Sequence, residues 1–77
     1  MQNTIRERRN NDYEPYVEEV GQMILDFIDS EIEEQEIRFP KLSADSLFKA
    51  VKEIVWSYGY EVDVNRYYDK VILENMA

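Results

Sequence analysis

The sequence contains no cysteine and no histidine, and each absence removes a class of function. Without cysteine the chain has no disulfide framework and no thiolate metal site, and without histidine it lacks the commonest general base and the usual zinc ligand. Two glycines, Gly21 and Gly59, are too few for a glycine-rich phosphate-binding loop. We therefore predict a protein that is not an enzyme and needs no cofactor.

Metal binding has equally little support in the sequence. Asp26, Asp29 and Glu33 are carboxylates at helical spacing. They lack the alternating loop ligands and the central glycine of a calcium-binding loop. We predict no metal site, and a small enzyme or metal-dependent nuclease is the least favoured class of function.

Long apolar runs are also missing. No stretch approaches the roughly 18 consecutive apolar residues of a membrane-crossing helix, which argues against a membrane partner. Residues 1–11 are polar, carry Arg6, Arg8 and Arg9, and are not followed by the apolar run of a signal peptide, so we interpret them as a flexible tail. With no cysteine, the expected location is the cytoplasm.

What the chain does have is enough apolar material for one core. Its 77 residues are 44% hydrophobic and 13% aromatic, which predicts a single small folded domain over residues 12–77.

The charge is strongly unbalanced and concentrated in one segment. Seventeen acidic residues against nine basic ones give a net charge of -8. Residues 12–36 contain ten acidic and no basic residues, residues 37–77 contain six of each, and residues 1–11 carry a net +2. Such a chain repels nucleic acid and anionic lipid, because both carry charge of the same sign. A basic protein is therefore the expected partner.

The acidic segment has the pattern of an amphipathic helix. Its apolar residues recur at three- and four-residue steps, which predicts a helix over residues 13–34 with Asp12 as N-cap and Pro15 in the first turn. At about 100° per residue, the acidic residues of one face share a sector opposite the apolar side. They are Glu18, Glu19, Asp26, Asp29 and Glu33.

The rest of the chain predicts one short strand, a helix and a hairpin. Residues 37–42 contain Pro40 and suit a linker or an edge strand. Ser43 is a good N-cap and Gly59 a good helix end, which predicts a helix between them. Residues 60–64 and 68–73 have strand patterns, and Asn65 and Arg66 suit the turn that joins them.

We therefore predict an α+β domain in which two helices pack on a small antiparallel sheet, in the order α, short β, α, β-hairpin. This order also suits a degenerate winged-helix arrangement, although a single helix rather than a close pair precedes the hairpin.

Aromatic residues give a second candidate surface. Trp56 lies off the apolar stripe of the second predicted helix. We favour a core position for it under the hairpin over an exposed position as an interface anchor. Tyr67 and Tyr68 have few basic neighbours, which favours protein contact or core packing over stacking on single-stranded nucleic acid.

The acidic segment has the charge spacing of a nucleic acid strand. Eight carboxylates span about 27 Å of helix, or roughly one per 3.4 Å, which is the phosphate spacing along one DNA strand. Those near the helix end oppose its dipole, and the predicted helix contains no Lys or Arg to offset them, so stability alone does not explain them. A merely solvated face is the alternative. The candidate residues are Glu18, Glu19, Asp26, Asp29, Glu31, Glu33, Glu34 and Glu36.

With these acids, its small size and its lack of cysteine, the chain resembles in type the acidic DNA-mimic inhibitors that bacteriophages encode against host DNA-binding proteins. The resemblance implies that it occupies the DNA-binding surface of a basic protein in the host cytoplasm. A nucleoid protein of the HU type suits an extended acidic ridge best, because its DNA contacts are mostly to phosphates. RNA polymerase and a nuclease such as a CRISPR effector are other implied targets.

A structural or adaptor module is the alternative to inhibition. In that hypothesis the chain binds a protein partner, or itself as a homodimer, through Trp56, Tyr67 and Tyr68, and its acidic helix is only solvated.

Overall fold

The structure, a computed structural model, describes residues 12–76 and contains two helices and three strands. A one-turn 3₁₀ helix, Glu14–Tyr16, leads into helix α1. The elements, in chain order, are α1 (Val17–Ser30), β1 (Glu34–Ile37), α2 (Ala44–Tyr58), β2 (Val62–Tyr67) and β3 (Lys70–Asn75). The predicted α+β class and order of elements are confirmed. The predicted tail, residues 1–11, lies outside the described residues.

The three strands form an antiparallel sheet in the order β1-β3-β2, so β3 is central. Alternation along the strands gives the sheet one buried and one exposed face. On the buried face, Ile37, Val62, Val71 and Leu73 meet the helices. Helix α2 packs on β2 and β3, and α1 packs mainly on α2 and reaches β3.

The helices contribute most of the remaining core at the expected spacing. Val20, Ile24 and Phe27 of α1 are fully buried, and they face a stripe of buried residues on α2. This stripe consists of Leu47, Ala50, Val51 and Ile54. No helix in the described part of the chain is long and apolar enough to cross a membrane.

Local signals placed α2 correctly. The Ser43 hydroxyl accepts a hydrogen bond from the Ser46 N–H at 3.1 Å, as an N-cap residue should. Gly59 ends the helix with a φ of 70°, in the left-handed region that glycine adopts without steric cost. One helix, α2, separates β1 from the hairpin, so residues 12–76 lack the close helix pair of a winged-helix domain.

The predicted limits of α1 were wrong at both ends. The helix begins at Val17 rather than residue 13, and Asp12 makes no cap but accepts a hydrogen bond from the Ser46 hydroxyl at 2.7 Å. It ends at Ser30, where Glu31 turns the chain with a φ of 59°. Acidic residues disfavour extension of a helix at its C-terminal end, and residues 34–37 gain backbone partners on β3 instead.

The predicted strand limits and turn also need correction. Asn65 and Arg66 lie within β2, opposite Ile72 and Val71, and the turn falls at Tyr68 and Asp69. Tyr68 has a φ of 53°, a positive value of the kind that two-residue hairpin loops require. The short edge strand lies at 34–37 and shares only its last residue with the predicted segment 37–42.

Candidate protein-binding surfaces

Helix α1 presents four carboxylates on the side opposite its core residues. Glu18, Glu19, Asp26 and Asp29 are all exposed, and we call them the helix acid face. None forms an ion pair with a cation in residues 12–76, and Asp26 accepts a hydrogen bond from the Gln22 amide at 3.0 Å. The face extends for about 17 Å of helix, a length in which a DNA strand carries about five phosphates.

The other four candidate acids do not continue this face. Glu31 is the left-handed residue at the helix end, and Glu33 lies in the connection to β1. Glu34 and Glu36 lie on β1, where they alternate with the buried Ile37 and therefore point to the outer face of the sheet. The predicted row of eight carboxylates along about 27 Å of one helix is therefore wrong.

Glu36 is further removed from the free acids by an ion pair. Its carboxylate lies 3.2 Å from Nε of Arg38, and its side chain is half-buried. This pair neutralises one of the eight candidates within the described chain.

A second group of acids lies on the outer face of the sheet. Glu34 is opposite Glu74 on β3, and Glu74 is opposite Asp63 on β2, so the three carboxylates form one row across the sheet. With Glu33 they line a shallow depression of about 290 Å³. We call these four residues the sheet acid cluster. Among the described residues, no group of three or more acidic side chains is placed to hold a metal ion.

Sequence reasoning missed Asp63 and Glu74 because their proximity depends on the strand register. A turn placed at Asn65 and Arg66 gives a different set of opposed residues from a turn at Tyr68 and Asp69. β2 and β3 each contain a single acidic residue, so no repeated acidic pattern in the sequence marked this cluster.

The two acidic surfaces face in different directions. The helix acid face points away from the core on the helical side of the molecule. The sheet acid cluster points away from the core on the other side of the sheet.

The predicted core position of Trp56 was wrong. Its ring is 85% exposed, because α2 rests on the sheet through its apolar stripe and Trp56 lies on the opposite side of the helix. Tyr68 is 94% exposed and Tyr67 is also exposed. Trp56 lies near the start of β2 and the two tyrosines at its far end, about 17 Å along the strand, so the three rings do not form one patch.

An open groove separates α1 from the C-terminal half of α2. Its volume is about 550 Å³, and we call it the interhelix groove. Glu18, Glu19 and Gln22 line it together with a larger set of apolar residues and a glycine. These are Val17, Gly21, Leu25, Ile54, Tyr58 and Tyr60. Sequence reasoning did not single out this groove, because two helices create it together.

The environment of Tyr13 clearly alters its pKa. The buried Tyr13 hydroxyl donates a hydrogen bond to the Glu53 carboxylate on α2. This bond, then burial and nearby negative charge, raises the pKa of Tyr13 to about 12. The pair holds the segment before α1 onto α2, which is a structural role.

No protein-family model, curated protein or solved structure matches this chain. Functional inference therefore depends on its own surfaces.

Proposed function

We propose that the protein is a cytoplasmic, non-enzymatic inhibitor whose helix acid face occupies the DNA-binding surface of a basic protein. One observation supports this most: four exposed carboxylates lie along a regular helix, with no ion pair to a cation in residues 12–76. A groove that holds phosphates contains Lys and Arg side chains at comparable spacing. We favour a histone-like nucleoid protein of the HU type, whose DNA contacts are mostly to phosphates.

The energetics of α1 are consistent with this role. Asp29 lies in the last turn, where a negative charge opposes the helix dipole, and no Lys or Arg within α1 offsets the acids at i+4. Cations brought by a partner would relieve this repulsion in the complex. Association should therefore be fast and should weaken as salt is added.

The experiment is displacement of DNA from a purified HU-type protein. A fluorescently labelled duplex is bound to that protein, the inhibitor is titrated in, and anisotropy reports the released DNA. We expect full displacement at about 50 mM salt and a much weaker effect of the inhibitor at about 200 mM. A ternary complex, with the duplex still bound at saturating inhibitor, would contradict the proposal for this partner.

A matched pair of variants tests which surface is used. The first carries Glu18→Gln, Glu19→Gln, Asp26→Asn and Asp29→Asn. The control carries Glu33→Gln, Glu34→Gln, Asp63→Asn and Glu74→Gln, which also removes four charges. We expect the first variant to need at least about a tenfold higher concentration than the native protein to displace half of the DNA. The concentration that the control needs should change by less than about threefold. Equal losses of displacement in the two variants would show that displacement depends on net charge alone. No loss in either variant would exclude both acidic surfaces as the binding site.

The exposure of Trp56 favours a second candidate function. A large aromatic side chain that is 85% exposed is suited to anchoring a protein contact. In this adaptor hypothesis the partner, or a second copy of the chain, covers Trp56. The displacement experiment separates the two functions, because an adaptor would leave the DNA bound and would bind its partner with little dependence on salt.

A further inference from the structure

The interhelix groove is an apolar surface that the described molecule leaves uncovered. Ile54 is buried at its base, whereas Leu25 and Tyr58 on its walls are 39% and 67% exposed. A leucine on the outer side of a helix and a tyrosine at the end of another would each be unremarkable alone. Here they face one continuous groove of about 550 Å³.

Gly21 keeps the middle of this groove open. A β-carbon added at Gly21 would meet no atom within 4 Å, so no close approach inside the described molecule requires glycine there. Glycine is less favourable than alanine in the interior of a helix. Glycine at this position therefore adds no stability to the fold. Its missing side chain leaves space between Val17 and Leu25.

The charge around the groove selects a basic occupant. Glu18 and Glu19 lie along it, and no Lys or Arg is among the residues that line it. A second copy of this chain is disfavoured, because a symmetric contact would oppose the same carboxylates in two chains of net charge -8.

We propose that the interhelix groove binds an amphipathic helix of a partner protein, with apolar side chains in the groove and Lys or Arg beside Glu18 and Glu19. The α1 wall from Val17 to Leu25 is about 12 Å long, which matches two turns of a helix and anchors at i and i+4. This inference does not depend on the proposed function, because the partner need not bind DNA.

The probe is a synthetic helical peptide of about 16 residues with leucines at i and i+4 and lysines on both sides of them. A peptide of the same composition with its leucines spread around the helix is the control. Isothermal titration calorimetry at about 150 mM salt measures the Kd values. We expect the patterned peptide to bind at least about tenfold more tightly. Equal binding would show charge attraction alone and would overturn the proposal.

Filling the groove provides the decisive variant. Gly21→Leu places a side chain in the open space, so we expect at least about a tenfold loss of peptide affinity. The same change raises helix propensity and should raise the melting temperature by about 4 °C, so unfolding cannot explain lost binding. Gln35→Leu, which adds a leucine on β1 outside the groove, should leave the affinity unchanged. Unchanged affinity in Gly21→Leu would overturn the proposal.

Two further measurements address other occupants. Sedimentation that shows a dimer in the native protein and a monomer in Gly21→Leu would identify a second copy as the occupant and overturn the proposal. A gain in peptide affinity of more than about threefold on removal of residues 1–11 would identify the chain's own N-terminal segment instead. If the protein displaces DNA but does not bind the peptide, this inference is rejected and the proposed function stands. If the protein binds the peptide but does not displace DNA, the proposed function is rejected and this inference stands.

Discussion

At the scale of single residues, two side-chain hydrogen bonds hold the start of the described chain in place. Tyr13 donates to Glu53, and Ser46 donates to Asp12 at 2.7 Å. Both bonds join the segment before α1 to α2, and the second satisfies a buried hydroxyl. Together they fix where α1 begins, and with it the position of Val17 in the interhelix groove.

The first of these bonds makes stability depend on alkaline pH. Because the pKa of Tyr13 rises from 10.0 to about 12, the folded protein retains this proton at pH values where the unfolded chain has lost it. The contribution is complete below pH 10 and declines as the pH rises from 10 to about 12. We expect Tyr13→Phe to cost about 1 kcal/mol at pH 8 and to reduce the loss of stability above pH 10.

Urea unfolding at pH 8 and pH 11 measures this effect. The difference in free energy of unfolding between the native protein and Tyr13→Phe should be smaller at pH 11 than at pH 8. Tyr68→Phe is the matched control, because that ring is 94% exposed and should give the same small effect at both values. An unchanged gap for Tyr13→Phe would contradict the proposed role of the bond.

At the scale of elements, sequence was a good guide where the signals were local. Ser43 and Gly59 define α2 because a cap acts within a few residues of itself. The end of α1 was predicted wrongly because the residues after it pair with β3, more than 30 residues from α1. The hairpin turn was predicted wrongly because its position depends on the register between β2 and β3. An apolar residue such as Ile32 continued the helical pattern although the chain had already turned at Glu31.

The turn at Glu31 offers a test of this competition. Glu31 has a φ of 59°, which costs a non-glycine residue about 1 kcal/mol, and its charge lies at the negative end of the helix dipole. We expect Glu31→Gly to raise the free energy of unfolding by about 0.5 to 1 kcal/mol, after the greater freedom of glycine in the unfolded chain is included.

Glu31→Gln removes only the charge and should raise the free energy of unfolding by a few tenths of a kcal/mol. Denaturant titration of the two variants beside the native protein separates the backbone contribution from the charge. If Gln stabilised as much as Gly, backbone strain at this position would not be the cause.

At the scale of the whole molecule, the structure divides an acidic segment that looks continuous in sequence. The four acids on α1 could be predicted, because helical periodicity alone places Glu18 and Asp29 on the same face of the helix. The sheet acid cluster and the interhelix groove could not, because each is made by elements that meet only in the folded chain. Trp56 was misplaced for the same reason, since its exposure depends on where the hairpin packs.

The row of carboxylates across the sheet predicts how the whole molecule responds to salt. Glu74 has Glu34 on one side and Asp63 on the other, and like charges in opposed positions destabilise a sheet. Glu74→Lys turns both repulsions into attractions, so we expect about 1 kcal/mol of added stability at low ionic strength. Glu74→Gln should give about half of that gain.

Thermal unfolding at about 10 mM and 500 mM salt checks this expectation, since screening weakens exposed charge pairs. The native protein should become more stable as salt is added, and the gain from Glu74→Lys should shrink. A gain that is independent of salt would point to side-chain packing instead of charge. Because Glu74 lies on the face of the sheet opposite the helices, the variant should still displace DNA as the native protein does, which ties stability to one acidic surface and binding to the other.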